Sequence, residues 1–425
     1  MSVSKQSNKL LSSHIVVAAN DDLLIEILIR LPIKSLLRFK SVSKHWHSLI
    51  ATNPHFYRRK SQQALCKQIS GLLVRRLTPF YYQIYDFISL DHHESQQSVT
   101  APFKKLKFVQ DQFGLKILQS CNGLLLCRSF SVRDGNCNYY IFNPSTTQFT
   151  TLPPPIYRDF IYTDGFHSIY DVNLAFDPRK SPHYKAICTY VSNKLVDGFE
   201  IEVYSSETGL WNHIDQPFSH RPLSEGVDFQ ISSYDFQTGV YWNGAINWMG
   251  GYYYLFYFNF DEERFVTVPI MPVIPNDWED RRKYFGESND HLHMIISNGN
   301  RVTNFNVYEM DKEYSGWFIK YRIDLDIETV LKAIPESHDL DIGLDPLDYY
   351  RFLVLDVIIT GPEKEEEEES YLVLSIPGNV VRYNIKDKSF KKLFQFSPVD
   401  QGFDGHFPMF EWSNCFKFIP SLMPV

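Results

Sequence analysis

The sequence predicts a mainly β protein that begins with a small helical module. Residues 20–60 carry apolar side chains at helical spacing and contain two breaks before proline, which predicts three short helices. From about Gly71 the chain instead reads as short apolar strands separated by polar turns, and an aromatic content of 16% favours strands. We therefore expect a flexible tail at residues 1–19, a helical module at residues 20–64 and a β domain at residues 65–425.

The helices of the module have recognisable starts and ends. Asn20 can cap the first helix, and Leu31-Pro32 ends it because a residue before proline avoids helical geometry. A second short helix follows. Ser43 is the predicted N-cap of the third, which ends before Asn53-Pro54, and residues from Ser61 can extend the helical run.

The module carries more apolar side chains than a core of this size needs. Two interpretations stay open from the pattern alone: a partner protein covers the excess, or the module packs as a cap on the β domain. Residues 20–60 contain more basic than acidic side chains, although the whole chain has a net charge of −8. This asymmetry suits an acidic partner for the module, and the acidic body argues against nucleic-acid binding.

Residues 20–60 resemble the plant type of F-box, in the pattern DDLLxEILxRLPxKSLLRFKxVSKxWxSLI. An F-box docks on a Skp-type adaptor, which links it to the cullin and RING subunits of a ubiquitin ligase, so the resemblance implies these partners. Ala19-Asn20 stand where the family usually has Leu-Pro, which leaves open a role as an adaptor-bound regulator outside the ligase. The adaptor-binding positions that the resemblance implies are Leu24, Ile27, Leu31, Pro32, Leu36, Leu37, Val42 and Trp46.

The β domain contains a repeated hairpin in which two aromatic residues flank a polar turn. Successive hairpins lie 52 to 73 residues apart, and the longest interval contains the acidic run at residues 363–369. Repeats of roughly 50 residues with about four strands are typical of kelch-like propeller blades. Five blades are visible, and residues 72–90 and 415–419 are predicted to pair and close a sixth. The five hairpins run from Phe142 to Phe149, Tyr204 to Trp211, Phe258 to Phe265, Tyr308 to Trp317 and Tyr383 to Phe390.

Several segments of this domain resemble the plant F-box-associated domain, a propeller-type module that binds substrates. The matching segments include SCNGLLLCRS from Ser120, FNPSTTQFTTLP from Phe142 and GVYWNGAINWM from Gly239. The resemblance covers most of residues 110–330 and fades after them. It implies that the β domain holds a protein target for ubiquitination.

No catalytic constellation is evident in the sequence. His291-x-His293 forms at most half of a metal site, and ordinary strand histidines are the preferred interpretation. Six cysteines without a CxxC pair indicate a reduced intracellular protein, cytoplasmic or nuclear, and no stretch is long enough to cross a membrane. The acidic run at residues 363–369 is expected to be a disordered, dispensable loop.

These observations favour a non-catalytic substrate receptor of an SCF-type (Skp–cullin–F-box) ubiquitin ligase. We expect no catalytic residues, no cofactor and no metal. Besides the regulator outside the ligase, a propeller enzyme or lectin with an incidental helical cap stays open as an alternative.

Overall fold

The protein is described by a computed structural model that covers most of the chain. The predictions for the N-terminal tail, for Cys66 and for the acidic run at residues 363–369 lie outside the described residues. The described residues are 20–63, 69–76, 84–90, 106, 108–109, 114–129, 137–155, 169–192, 198–215, 218–219, 233–250, 254–269, 282–297, 303–325, 353–359, 370–376, 379–396 and 412–425.

Four helices form the helical module, one more than the sequence pattern predicted. The predicted caps are present, because Leu23 N donates to Asn20 Oδ1 (3.2 Å) and Trp46 N donates to Ser43 Oγ (3.1 Å). Asn53 begins the additional helix in the same way, with its Oδ1 accepting from His55 N at 2.9 Å. None of the described helices is long and apolar enough to span a membrane. The helices are α1 (Asp21–Leu28), α2 (Ile33–Phe39), α3 (Lys44–Ala51) and α4 (Pro54–Gln63).

The β domain contains 24 strands in the described part of the chain. The first eleven are β1 (Gly71–Arg76), β2 (Ile84–Ser89), β3 (Leu115–Cys121), β4 (Leu124–Ser129), β5 (Tyr139–Asn143), β6 (Gln148–Thr151), β7 (Ile169–Ala175), β8 (Lys185–Val191), β9 (Gly198–Ser205), β10 (Leu210–His213) and β11 (Phe218–Ser219). The others are β12 (Val240–Trp242), β13 (Ala245–Met249), β14 (Tyr254–Asn259), β15 (Arg264–Pro269), β16 (Arg282–Ser288), β17 (His291–Ser297), β18 (Asn304–Met310), β19 (Trp317–Asp324), β20 (Leu353–Ile358), β21 (Tyr371–Ile376), β22 (Asn379–Asn384), β23 (Phe390–Gln395) and β24 (Cys415–Phe418).

These strands form six antiparallel sheets, which confirms the predicted six-bladed propeller. Five sheets follow the chain order, as β3–β6, β7–β10 with β11 beside β9, β12–β15, β16–β19 and β20–β23. The sixth joins both ends of the domain in the order β2-β1-β24, so the C-terminal strand closes the ring as predicted. Closure protects sheet edges that would otherwise be free to pair with other chains.

An apolar cluster fills the junction between each pair of neighbouring sheets, and the cluster between the β3–β6 and β7–β10 sheets continues into the core of the helical module. Because successive side chains of a strand point to opposite faces, alternate residues pack into the junctions on the two sides of their sheet. In β1, Leu72 and Val74 pack toward the β20–β23 sheet, whereas Leu73 packs toward the β3–β6 sheet. This explains the continuous apolar runs in the middle strands, because both faces of these strands are buried.

Four of the five predicted hairpins have the predicted partners, since Phe142, Tyr204, Phe258 and Tyr383 each pair with the second aromatic of their hairpin. The fifth prediction was wrong in register. Trp317 pairs with Met310 instead of Tyr308, because β18 continues past Tyr308 before the chain turns.

The turns between the first and second strands of neighbouring sheets meet on one side of the ring, which we call the turn face. There Asn122 Nδ2 donates to the Phe176 carbonyl (2.5 Å), and Asn243 Nδ2 donates to the β18–β19 turn at Lys312 O (2.8 Å). The pairing of Gly71 with Phe418 puts the start of β1 beside the end of β24. The chain connection from the helical module to β1 and the segment after β24 therefore both lie on this face.

Candidate functional site

The helical module exposes three large apolar side chains although its own core is filled. Leu23 is 45% exposed, Ile27 49% and Val42 60%. On α1, Leu23 and Ile27 are four residues apart and share the outer face, whereas Leu24 and Leu28 point to the opposite, buried face. Helix α1 is thus apolar on two faces, and the described residues pack against only one of them. Exposed apolar patches of this kind mark interaction surfaces.

Helices α2 and α3 and the α1–α2 corner carry further apolar side chains that are exposed or only partly buried. Leu31 and Leu37 pack on the edge of the core, and Pro32 is exposed. Trp46 packs edge-on against Phe39, with ring centroids 5.3 Å apart. Together with the three exposed side chains, they form what we call the apolar surface of the module: Leu23, Ile27, Leu31, Pro32, Leu37, Val42 and Trp46.

The eight positions predicted to bind an adaptor therefore fall into different environments. Leu24 and Leu36 lie in the module's core, at 3% and 0% exposure, so their side chains hold the helices together. The other six belong to the apolar surface. Leu23 also belongs to it and was not predicted, although its spacing from Ile27 was a usable signal. The adaptor-binding role of all these positions stays a prediction.

The corner that carries Leu31 is held by a lysine from the additional helix. Lys60 Nζ donates to the carbonyls of Ile29 (2.8 Å) and Leu31 (2.7 Å), which satisfies free acceptors at the end of α1. Burial lowers the pKa of Lys60 from the usual lysine value. Arg59 supports the same helix through an ion pair with Glu26 at 2.5 Å. The apolar surface is therefore presented by a fixed backbone.

A second candidate site is a cavity of about 130 Å³ on the propeller axis, lined mainly by the first strands of five sheets. In its wall, Asp356 Oδ1 accepts from Tyr284 OH (2.8 Å) and lies 3.3 Å from Lys417 Nζ. Burial raises the pKa of Asp356, and the charge of Lys417 opposes that rise. Lys417 also donates to the Glu287 carbonyl. Because Lys417 lies on β24, these polar contacts fasten the closing strand to β16 and β20.

The two histidines of β17 both bind one carboxylate. His293 Nε2 lies 3.1 Å from Glu309 Oε2, and His291 Nδ1 lies 3.2 Å from Glu309 Oε1. Lys320 Nζ lies 3.1 Å from the same carboxylate. Across the described ranges, no group of three or more His, Cys, Asp or Glu side chains is arranged to hold a metal ion.

No disulfide joins the cysteines that the structure describes, and Cys121, Cys127 and Cys188 are buried. Burial raises the pKa of the Cys127 thiol, and burial together with the charge of Asp356 raises that of Cys415. A thiol with a raised pKa holds little of the thiolate form that acts as a nucleophile. These two cysteines are therefore suited to packing.

Comparison with known proteins agrees with both parts of the molecule. Residues 20–57 match the F-box domain, and residues 76–319 match the F-box associated beta propeller domain. The chain is 36% identical to F-box protein At5g07610 of Arabidopsis thaliana, over 97% of this chain and 94% of that protein. It is 29% identical to F-box protein At5g49610 of the same plant, over 65% of this chain and 71% of that protein.

Proposed function

Because the chain belongs to the F-box proteins that carry an F-box-associated β-propeller domain, we propose that it is the substrate-recognition subunit of an SCF-type ubiquitin ligase. The family is typically non-catalytic, and an F-box implies binding to a Skp-type adaptor. The finer proposal is that the adaptor connects this chain to cullin and RING subunits, in the cytoplasm or the nucleus. The propeller then holds a protein target near the ubiquitin-conjugating enzyme, so that effective concentration drives the transfer.

The observation that supports this proposal most directly is the unused apolar face of α1. Leu23 and Ile27 remain half exposed while the core of the module is filled, so the part of the chain that the structure describes does not cover them. Ala19-Asn20 replace the usual Leu-Pro of the family, and this replacement is compatible with adaptor binding because the Asn20 side chain caps α1. Exposed Lys34 and Arg38 add positive charge beside the surface. An acidic adaptor with an apolar groove fits these features.

We propose that the target binds the propeller face opposite the turn face. The chain connection from the helical module enters the propeller on the turn face, at the start of β1, where Gly71 pairs with Phe418. The connections between successive sheets begin and end on the opposite side. Connecting segments on a rigid scaffold are the usual place for recognition.

The test is binding of the purified full-length chain to a purified Skp-type adaptor. The double variant Ile27→Ala with Val42→Ala should weaken binding by about 2 kcal/mol or more, roughly thirtyfold in Kd, with an unchanged thermal midpoint. The matched control is Leu210→Ala with Phe318→Ala, two residues of the propeller that are equally exposed, at 63% and 47%. Unchanged adaptor affinity of the first double variant would contradict the proposed surface.

Leu31→Ala with Pro32→Ala should also abolish adaptor capture, but Leu31 is partly buried and its carbonyl accepts from Lys60. This variant therefore mixes loss of folding with loss of binding and needs a thermal-unfolding control. Adaptor binding without recruitment of a cullin would favour the regulator outside the ligase. A cofactor or metal that copurifies with the chain would favour an enzyme.

A further inference from the structure

The C-terminal segment after β24, residues Ser421–Val425, is bound to the propeller by specific hydrogen bonds. Asn143 Nδ2 donates to the carbonyls of Ser421 (3.2 Å) and Met423 (2.7 Å). Ser421 N donates in turn to Ser145 Oγ (3.0 Å). We call Ser421–Val425 the C-terminal strap. Its backbone is held against the β5–β6 hairpin on the turn face.

The site that receives the strap is shaped for it. Gly123 has a φ of +92°, and a Cβ on this residue would lie 2.5 Å from the Ser421 Cβ. Asn143 is fully buried and serves two roles, because its Oδ1 accepts from Ser145 N (2.9 Å) within the hairpin turn. The equivalent Asn259 caps its own turn in the same way, at Asp261 N (2.8 Å). The additional role of Asn143 is its donation to the strap.

The side chains of the strap belong to an apolar cluster that continues into the helical module. Leu422 and Met423 are 5% and 4% exposed, and they belong to the hydrophobic cluster that also contains Leu28, Ile50 and Phe56 of the module's core. Among the described residues, no hydrogen bond or ion pair joins residues 20–63 to the propeller strands. The described packing between the module and the propeller is therefore apolar, and the strap contributes two buried side chains to the cluster that joins them.

We propose that the C-terminal strap is a positioning element that fixes the orientation of the helical module relative to the propeller. Without it, the module is connected to β1 through the segment of residues 64–70 and through the remaining apolar contacts. The effect of the strap on ubiquitin transfer rests on the function proposed above. A fixed module keeps a target on the propeller at one distance from the ubiquitin-conjugating enzyme, and transfer depends strongly on such positioning.

The first experiment measures orientation and does not depend on the ligase. Small-angle X-ray scattering is recorded for the full-length chain, for Asn143→Asp and for a chain that ends at Pro420. Asn143→Asp keeps the acceptor of the hairpin turn and removes both donations to the strap. We expect both variants to show a larger maximum dimension, with the propeller's main thermal transition retained. The matched control, Asn259→Asp, should scatter like the wild type.

The apolar part of the strap is tested by a pair of double variants. Leu422→Ser with Met423→Ser should reproduce the larger dimension. Leu422→Met with Met423→Leu preserves the total volume and should restore the wild-type profile. Scattering curves identical to the wild type for Asn143→Asp and for the chain ending at Pro420 would overturn the proposal.

The second experiment links orientation to function in a reconstituted ligase, with ubiquitination of the chain itself as the probe. We expect Asn143→Asp to bind the Skp-type adaptor with wild-type affinity and to lose roughly tenfold in the rate of ubiquitin transfer. An unchanged rate would contradict the positioning role in catalysis. If the wild type fails to bind the adaptor, the proposed function fails, and the scattering result still decides the role of the strap.

Discussion

At the residue scale, His293 on β17 and Glu309 on β18 form a buried polar pair within the β16–β19 sheet. Burial opposes the charge of Glu309, yet hydrogen bonds from His293 and Lys320 lower the pKa of this carboxyl to about 2. Burial lowers the pKa of His293, which is 0% exposed, although its bond to Glu309 acts in the opposite direction. Among the described residues, the second ring nitrogen of His293, Nδ1, finds no hydrogen-bond partner. Protonation there would bury an unpaired donor, which also favours the neutral ring.

This pair predicts a stability that depends on pH. Because His293 has a lower pKa in the folded than in the unfolded protein, the unfolded state takes up the proton first as the pH falls below the ordinary value of 6.5. The free energy of unfolding of the wild type should therefore decrease relative to that of His293→Gln between pH 7.5 and pH 5.5. The groups around the ring are Glu309, His291, Lys320 and Lys417.

Urea unfolding of both proteins at several pH values measures this difference. Terms from other titrating groups are shared by the two proteins and largely cancel. A difference that grows in favour of the wild type on acidification would contradict a lowered pKa for His293.

At the scale of single elements, the hairpin between the third and fourth strands recurs from sheet to sheet around the propeller. In three sheets, the residue just before the return strand has a left-handed backbone: Thr147 (φ 58°), Gly209 (71°) and Glu263 (49°). In a fourth sheet, Lys388 (60°) has this backbone two residues before β23 begins. This conformation ends the turn in the same way each time, and it favours glycine or asparagine. The shared backbone explains why one spacing of aromatics recurs although the turn sequences differ.

The β9–β10 hairpin offers a clean measurement of this backbone requirement. A Cβ on Gly209 would meet no atom within 4 Å, so the cost of Gly209→Ala is purely conformational. We expect Gly209→Ala to lower the free energy of unfolding by about 1–2 kcal/mol. Gly209→Asn should cost less, because asparagine tolerates a positive φ. Equal stability of the alanine and glycine proteins in urea would show that this turn relaxes to another conformation.

Sequence reasoning worked where local pattern decides structure. The aromatic spacing predicted four hairpin registers, and Asn20 and Ser43 were predicted as caps because capping acts over three residues. The Asn122-Gly123 turn between β3 and β4 was missed, although Asn-Gly is a strong hairpin signal.

Other features depend on contacts distant in sequence. The apolar surface of the module is visible only once Leu24 and Leu36 are known to be buried. The C-terminal strap depends on Asn143, far away in the chain, and its own residues carry no periodic pattern.

At the scale of the whole molecule, stability depends on the six junctions being closed into a ring. Each sheet buries both faces against its neighbours, so an open ring would expose two apolar faces at once. Strand β24 closes the ring by pairing with β1 from Gly71 to Val74. Its Phe416 lies in the junction with the β3–β6 sheet, and Lys417 binds Asp356 on β20. A strand of four residues thus contacts the elements on both sides of the closure.

Two nested truncations separate this closure from the positioning role of the strap. A chain ending at Pro420 keeps β24 and should unfold in one cooperative main transition as a monomer. A chain ending at Asn414 lacks β24, which frees the edge of β1 and uncovers two junctions, so we expect aggregation and loss of the cooperative transition. Size-exclusion chromatography and thermal unfolding distinguish these results.

A synthetic peptide of residues 412–425, added during refolding of the shorter chain, should restore monomers, because it supplies the missing strand in trans. A chain ending at Asn414 that stays monomeric with a wild-type Tm would show that five sheets and a two-stranded remnant are sufficient, and that β24 is not the closing element.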